Sequence, residues 1–366
     1  DALATHPWRP IQARSKLEKL RLEREAGLIA PDEAVEALES LRFQWRGDDT
    51  EVEAAAMLGE VYADAGRFDE ALRIMEATRL RFPESPVSRR LGLAMDSLFR
   101  TLFLDGGADR LDPLSAVALW REHQDLTPPG PDGVRMVMGV VERLVEIDLL
   151  DQAARYMQYW VDERGVTLTA QARAAIAADL AEIYLMDEQP EQALRVIEQT
   201  RVAGLSGDLV AERRLLQARA LAGVGRTEHA VELIANDRTE AADRLRARIA
   251  WDDRRWTVAG RRSEALLADR WRDGAALSGR ESHDVMRALI AYALAGDQAS
   301  MDRIQARYGP AMGETEHAQA FSMVANETVR PGDARLSALI TDLADMDDST
   351  ALMRGFRANR LEGETG

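Results

Sequence analysis

The sequence predicts an all-α solenoid of about eight degenerate helical hairpins, closed at its C-terminal end by further helices. Three observations predict it. Residues 52–85 place apolar, small and helix-breaking residues at the spacing of two antiparallel helices. The same arrangement recurs in weaker form down the chain. The composition is helix-prone: Ala and Leu dominate the 366 residues, Val and Ile are sparse, and 46% are hydrophobic.

The elements follow in chain order. Residues 1–14 read as an N-terminal extension, because His6-Pro7-Trp8-Arg9-Pro10 cannot be helical throughout. Residues 15–312 read as one superhelix. A faint hairpin is built around Ala34, and the clearest one follows. Within it Leu58, Val61 and Tyr62 share one helical stripe at i, i+3, i+4. Gly66 ends the first helix, where a left-handed residue is useful. Asp69 and Glu70 open the second, where carboxylates suit the positive end of the dipole. Ala71 is small enough for the two helices to approach closely, Leu72 and Met75 continue the buried stripe, and Pro83 stops the helix.

The next anchors are Ala116, Ala153, Ala193, Ala230, Ala259 and Met301. The eight anchors lie 29 to 45 residues apart, against about 34 for a strict array, so loops and helices vary in length. The stretches 105–113 and 127–133 are rich in Gly and Pro and read as loops. Residues 313–361 read as capping helices, with one helix near 315–325. Leu336, Leu339, Ile340 and Leu343 follow at helical spacing. Residues 362–366 read as a disordered tail.

Charge narrows the partners. Acidic residues number 63 against 47 basic, a net charge of −16. Such a surface repels phosphate backbones and anionic membranes, so nucleic acid is not expected as a partner and basic protein segments are. No apolar run approaches the ~18 residues of a membrane span, so no direct membrane insertion is expected. Cysteine is absent, which removes disulfides and thiolate sites and fits either the cytoplasm or an oxidising periplasm. Lys16 and Lys19 are the only lysines, a coding bias of high-GC bacterial genomes. The chain opens at Asp1 without an initiator Met or a signal peptide, which reads as a mature or truncated product.

No catalytic residue, cofactor or metal ligand is singled out. There is no phosphate-binding loop, and Gly223-Val224-Gly225 reads as a corner between helices. His6, His123, His229, His283 and His317 form no ligand pair at metal-binding spacing. Thr227–Ala230 and 315–318 share the sequence Thr-Glu-His-Ala and read as helix starts capped by Thr. Asp345, Asp347 and Asp348 lack the Gly and Glu of a calcium loop and read as a helix cap. Trp120, Trp160 and Trp256 fall at packing positions, whereas Trp8 and Trp271 lie in poorly patterned stretches and read as exposed anchors.

Leu58-Gly59, Tyr62, Gly66, Phe68, Ala71 and Pro83 fall at the spacings of the tetratricopeptide repeat, with Ala55 where a bulky aromatic is usual. The segment resembles that family, and the weaker units resemble it less closely. The resemblance implies a right-handed superhelix whose first helices line a concave groove. It places Glu53 and Glu60, Glu142, Glu182, Arg219, Arg248 and Trp251 on that groove. It implies a scaffold or adaptor that holds partner proteins or peptides rather than an enzyme. Leu41–Asp48, Leu102–Gly106 and Leu126–Gly133 further resemble uncharacterised alphaproteobacterial envelope proteins. That resemblance implies a periplasmic protein of an envelope assembly, such as an accessory of the flagellar motor in motility. A cytoplasmic adaptor sequestering a basic peptide is the alternative reading, and a glycan-acting enzyme built on paired carboxylates the remote one. The oligomeric state is not legible.

Overall fold

The computed structural model describes residues 9–46, 49–162, 168–326 and Leu339. Every regular element among them is helical. The chain divides into two compact units, Asp1–Leu149 and Leu150–Gly366.

In the first unit, α1 (Arg9–Glu25), α3 (Asp49–Asp64), α5 (Pro86–Phe103) and α7 (Pro131–Glu146) form one row. Successive members of the row touch one another, and α1 and α3 also pack on the second helices that follow them. The second helices are α2 (Pro31–Gln44), α4 (Phe68–Arg81) and α6 (Pro113–Glu122). Helix α1 begins inside the stretch expected as an extension, because Pro10 is tolerated in a first helical turn. Helix α7 begins at Pro131, so the loop expected over 127–133 ends at Gly130 and Gly133 is a buried helical residue. The loop 105–113 contains a 3-10 turn at Gly107–Arg110. Residues 1–8, with Trp8, lie outside the described residues.

In the second unit the first helices are α9 (Ala170–Met186), α11 (Gly207–Gly223), α13 (Glu240–Asp252) and α15 (Gly279–Ala295). They alternate with α8 (Leu150–Asp162), α10 (Pro190–Gln199), α12 (Thr227–Leu233), α14 (Trp256–Leu266) and α16 (Gln298–Met312). Helix α17 (Ala318–Asn326) packs on α15 and α16, and its Phe321 and Val324 join their core. It is the helix expected near 315–325. Leu339, partly buried, packs against that same core. The rest of the segment 327–366, including the acidic run at 345–348, lies outside the described residues. No described helix is long and apolar enough to cross a membrane.

The hairpin register is strict where the spacing is not. Ala34, Ala71, Ala116, Ala153, Ala193, Ala230, Ala259 and Met301 each occupy the fourth position of a second helix, and all are buried. At that position the helix meets its partner, so a larger residue would push the pair apart. Between α3 and α4, a Cβ on Gly59 would sit 2.7 Å from the Met75 Cγ, closer than packed carbons come. Five residues before six of the anchors the backbone turns left-handed, at Gly66, Asp148, Glu188, Gly225, Arg254 and Gly296. Gly66 adopts this without strain. Asp148, Glu188 and Arg254 do so at a cost of about 1–2 kcal/mol each.

Capping in the second unit is equally regular. Thr169, Ser206, Thr239 and Ser278 cap its four first helices through side-chain oxygens that accept backbone N–H bonds. Ser278 and Glu281 complete a reciprocal capping box. Thr227 does not cap α12: Arg226 holds that place without a side-chain bond, and Thr227 is the first helical residue. Thr315 donates its hydroxyl to the Met312 carbonyl instead of capping α17.

Buried arginines tie one hairpin to the next. The Arg213 guanidinium on α11 donates to the carbonyls of Ala174 (2.6 Å) and Ile197 (2.8 Å) and to the Thr200 hydroxyl (3.0 Å). Arg246 on α13 donates to the carbonyls of Ile234 and, at 2.6 Å, Asp237. Both are the seventh residue of a first helix, and both satisfy carbonyls left open at the end of the preceding second helix.

Candidate partner-binding face

In the first unit, α1, α3 and α5 enclose an open cleft of about 670 Å³. Its apolar lining comes from Ala56 and Met57 of α3 and from Val87, Leu91 and Ala94 of α5. Glu53 and Glu60 of α3 line it too. Opposite them stand Arg14, Arg21 and Arg24 of α1 and Arg90 of α5, with Glu25 beside them. Arg24 donates to Glu60 and Asp64, both at 2.7 Å. Arg21 reaches Glu53 at 3.5 Å and Glu18 at 3.1 Å. These pairs are solvated, so each contributes less than about 1 kcal/mol. Arg14 and Arg90 are exposed and make no ion pair among the described residues.

On this face four arginines stand against three glutamates. The α1 arginines were missed because that helix was not counted as groove-forming. A signal was present, since Arg14, Arg21 and Arg24 recur at i, i+7 and i+10 on one stripe. Glu142 is half-buried on α7 and does not line the cleft.

Of the groove residues expected in the second unit, Glu182 and Trp251 are buried and Arg219 and Arg248 are half-buried. Glu182 is 6% exposed. Burial pushes its carboxyl up to about 7, Arg219 pulls it down, and Glu212 pushes it further up. Burial also raises Asp179, followed by Glu212 and Glu182. Glu182 and Arg219 are thus brought together, inside a patch with three carboxyls. A raised acid in such a patch is not in itself a catalytic site.

Trp251 is not a free aromatic anchor, being 8% exposed. Its ring meets Trp256 edge-on at 5.5 Å and 84°, and the Arg287 guanidinium lies over it at 4.9 Å. Burial, then repulsion from Arg248, pulls Arg287 down to about 10. Arg248 itself is half-buried and lies 3.7 Å from Asp252. Neighbouring Arg244 reaches the buried Asp284 at 2.9 Å. Beside it burial, then Arg287, pushes His283 down to about 4. Trp271, expected as an exposed anchor, packs on the terminal core between Arg272 and Arg307. Trp120 and Trp160 are buried as expected.

Residues 28–91 match the family model of the tetratricopeptide repeat. The matched segment runs from before α2 into α5 and contains the hairpin whose spacing is most regular. Among curated proteins no sequence match is found. Two solved structures of nearly identical TPR-like repeats from Podosopora anserina, one a variant of the other, are similar to this chain at 18% identity. The first covers 65% of this chain and 96% of its own, the second 68% and 100%, both at a TM-score of 0.28. So slight a likeness carries no shape from those chains to this one. The chain is an all-α protein of stacked hairpins with a tetratricopeptide-type segment near its start, and repeats of that type generally mediate protein–protein contact.

Proposed function

We propose that this protein is a scaffold that holds a segment of a partner protein in the cleft between α1, α3 and α5. One observation supports this most: three consecutive first helices contribute apolar floor and charged rim to a single open cleft. The apolar floor supplies affinity, and the charges set register and choice of partner. Glu53 and Glu60 already face arginines, whereas Arg14 and Arg90 have none of their charge met. A partner segment with carboxylates beside an apolar residue fits that rim better than the basic segment suggested by net charge. No reaction is assigned to the chain. Residues 15–312 are the working array in this reading, and 313–361 its closing segment.

Site-specific photo-crosslinking tests the cleft. A crosslinker at Arg14 or Ala94 is expected to capture one partner segment, and a crosslinker at Ala77 on α4 is not. Ala94→Arg together with Arg14→Glu is expected to abolish capture while the helical content holds. Equal capture from all three positions would refute the cleft.

The setting we propose is an exported, periplasmic scaffold of an envelope assembly, the flagellar motor among the candidates. It rests on the resemblance of 41–48, 102–106 and 126–133 alone. Fractionation of cells producing the protein from its native gene tests it. A wholly cytoplasmic location would favour the adaptor that sequesters a peptide.

A further inference from the structure

A different kind of site lies on the row of second helices in the first unit, away from the cleft. Asp69 is in the first turn of α4. Glu122 is the last residue of α6, and His123 follows it as the cap of that helix. One ligand atom from each lies within 4.8 Å of the others. His123 is only 4% exposed, and its Nε2 is buried with no hydrogen-bond partner. A buried ring nitrogen left this way is rare and calls for an explanation.

The geometry supplies one. His123 Nε2 faces Asp69 Oδ1 at 3.6 Å, too far for a hydrogen bond. Two ligands on one tetrahedral zinc ion, each bonded at about 2.1 Å, lie about 3.4 Å apart. Glu122 and Asp69 also share one counter-charge. Arg73 donates to both carboxylate oxygens of Glu122 at 2.7 Å and lies 3.2 Å from Asp69. Its guanidinium places positive charge where a cation would place it. Arg73 is itself largely exposed and free to swing away.

We propose that Asp69, Glu122 and His123 bind a divalent cation of the zinc class, and that Arg73 competes with the ion for the two carboxylates. An imidazole in the set favours zinc-like ions over calcium or magnesium, which prefer oxygen ligands alone. Three protein ligands leave the fourth position to water. The bound ion would join the start of α4 to the end of α6 and so fasten two successive second helices. Nothing in this depends on the cleft.

Zn²⁺ titrated calorimetrically into the full chain, free of any histidine tag, tests the site. One saturable event is expected near neutral pH. Asp69→Asn and His123→Gln are each expected to weaken it by at least about tenfold. Arg73→Ala is expected to strengthen it several-fold, an effect that casual binding to surface acids would not show. Zn²⁺ is expected to raise the melting temperature of the parent chain and not of the Asp69→Asn variant. Asp69 is half-exposed, so that variant keeps the test alive if His123→Gln misfolds. Unchanged affinity in Asp69→Asn, weaker binding in Arg73→Ala, or displacement of Zn²⁺ by Ca²⁺ at equal concentration would each overturn the proposal.

Discussion

In the first unit several charges on the first helices lie at the surface beside an open cleft: Arg24 holds Glu60 and Asp64, and Arg21 reaches Glu53, while Glu51 of α3 is buried against Arg81. On the first helices of the second unit, Glu182, Arg213, Arg246, Asp284 and Arg287 are buried. The same hairpin therefore supports two uses of charge. Solvated pairs add little stability and leave a surface that another protein can meet. Buried charges must be satisfied internally, which locks the helices and makes the unit sensitive to pH.

The arginine clamp should break this contrast most strongly. Arg213→Met leaves two backbone carbonyls and the Thr200 hydroxyl without their donor. A loss of about 3–5 kcal/mol is expected. Hydrogen exchange in α10 and α11 should report it, while exchange in α3 stays unchanged. The solvated counterpart, Arg24→Ala, should cost less than about 1 kcal/mol, and salt should erase that difference.

Acid should act next, again on the second unit. Burial, then Arg287 and to a smaller extent Arg244, holds His283 near 4, below its unfolded value of 6.5, while Asp284 favours its protonation. Its contribution is complete above about pH 6.5 and is lost as pH falls towards 4, a change of about 3 kcal/mol. Glu182 runs the other way. Its folded pKa of about 7 exceeds the unfolded 4.5, so its contribution is complete below 4.5 and is lost as pH rises through 7. The two slopes oppose each other between 4.5 and 6.5. Urea titrations across pH should show a plateau there, and in His283→Gln stability should instead rise as pH falls from 7 towards 4.5.

Glu182→Gln should be somewhat smaller in effect. Removing the buried charge is expected to stabilise the chain by about 1–3 kcal/mol at pH 8 and by little at pH 4.5. Loss of stability at pH 8 would show that the attraction to Arg219 outweighs desolvation.

The smallest effect concerns the turns. Glu188→Gly and Arg254→Gly should each stabilise by up to about 1 kcal/mol, because both residues are left-handed without being glycine. Gly225→Ala, at the corresponding turn, should cost about as much. Equal melting temperatures for all three variants would remove strain as the reason these hairpins look degenerate.

Those turns also explain how far the sequence could be read. Gly66 with Ala71 was legible at once, and the match over 28–91 falls on the same stretch. Among the weaker hairpins, those at Ala153, Ala193 and Ala259 carry Asp148, Glu188 and Arg254 where Gly would announce the turn. The clamps Arg213 and Arg246 were not legible, since arginine in a helix reads as a solvated residue until the facing carbonyls are known. His123 and Asp69 were passed over because 54 positions separate them and only the packing of α4 against the end of α6 makes them neighbours.

What the sequence determined alone was the hairpin itself: a small residue at the fourth position of all but the last second helix, and in the clearest unit a glycine to turn the chain before it. These are short-range requirements, because how closely two adjoining helices approach depends on side-chain size at one place whatever lies elsewhere. What tertiary structure decided was the state of each charge. Whether Glu60 meets Arg24 in water or Glu182 is buried beside Glu212 and Arg219 depends on which distant helix faces it and how much solvent remains between them. Neither quantity is written in the local order of residues.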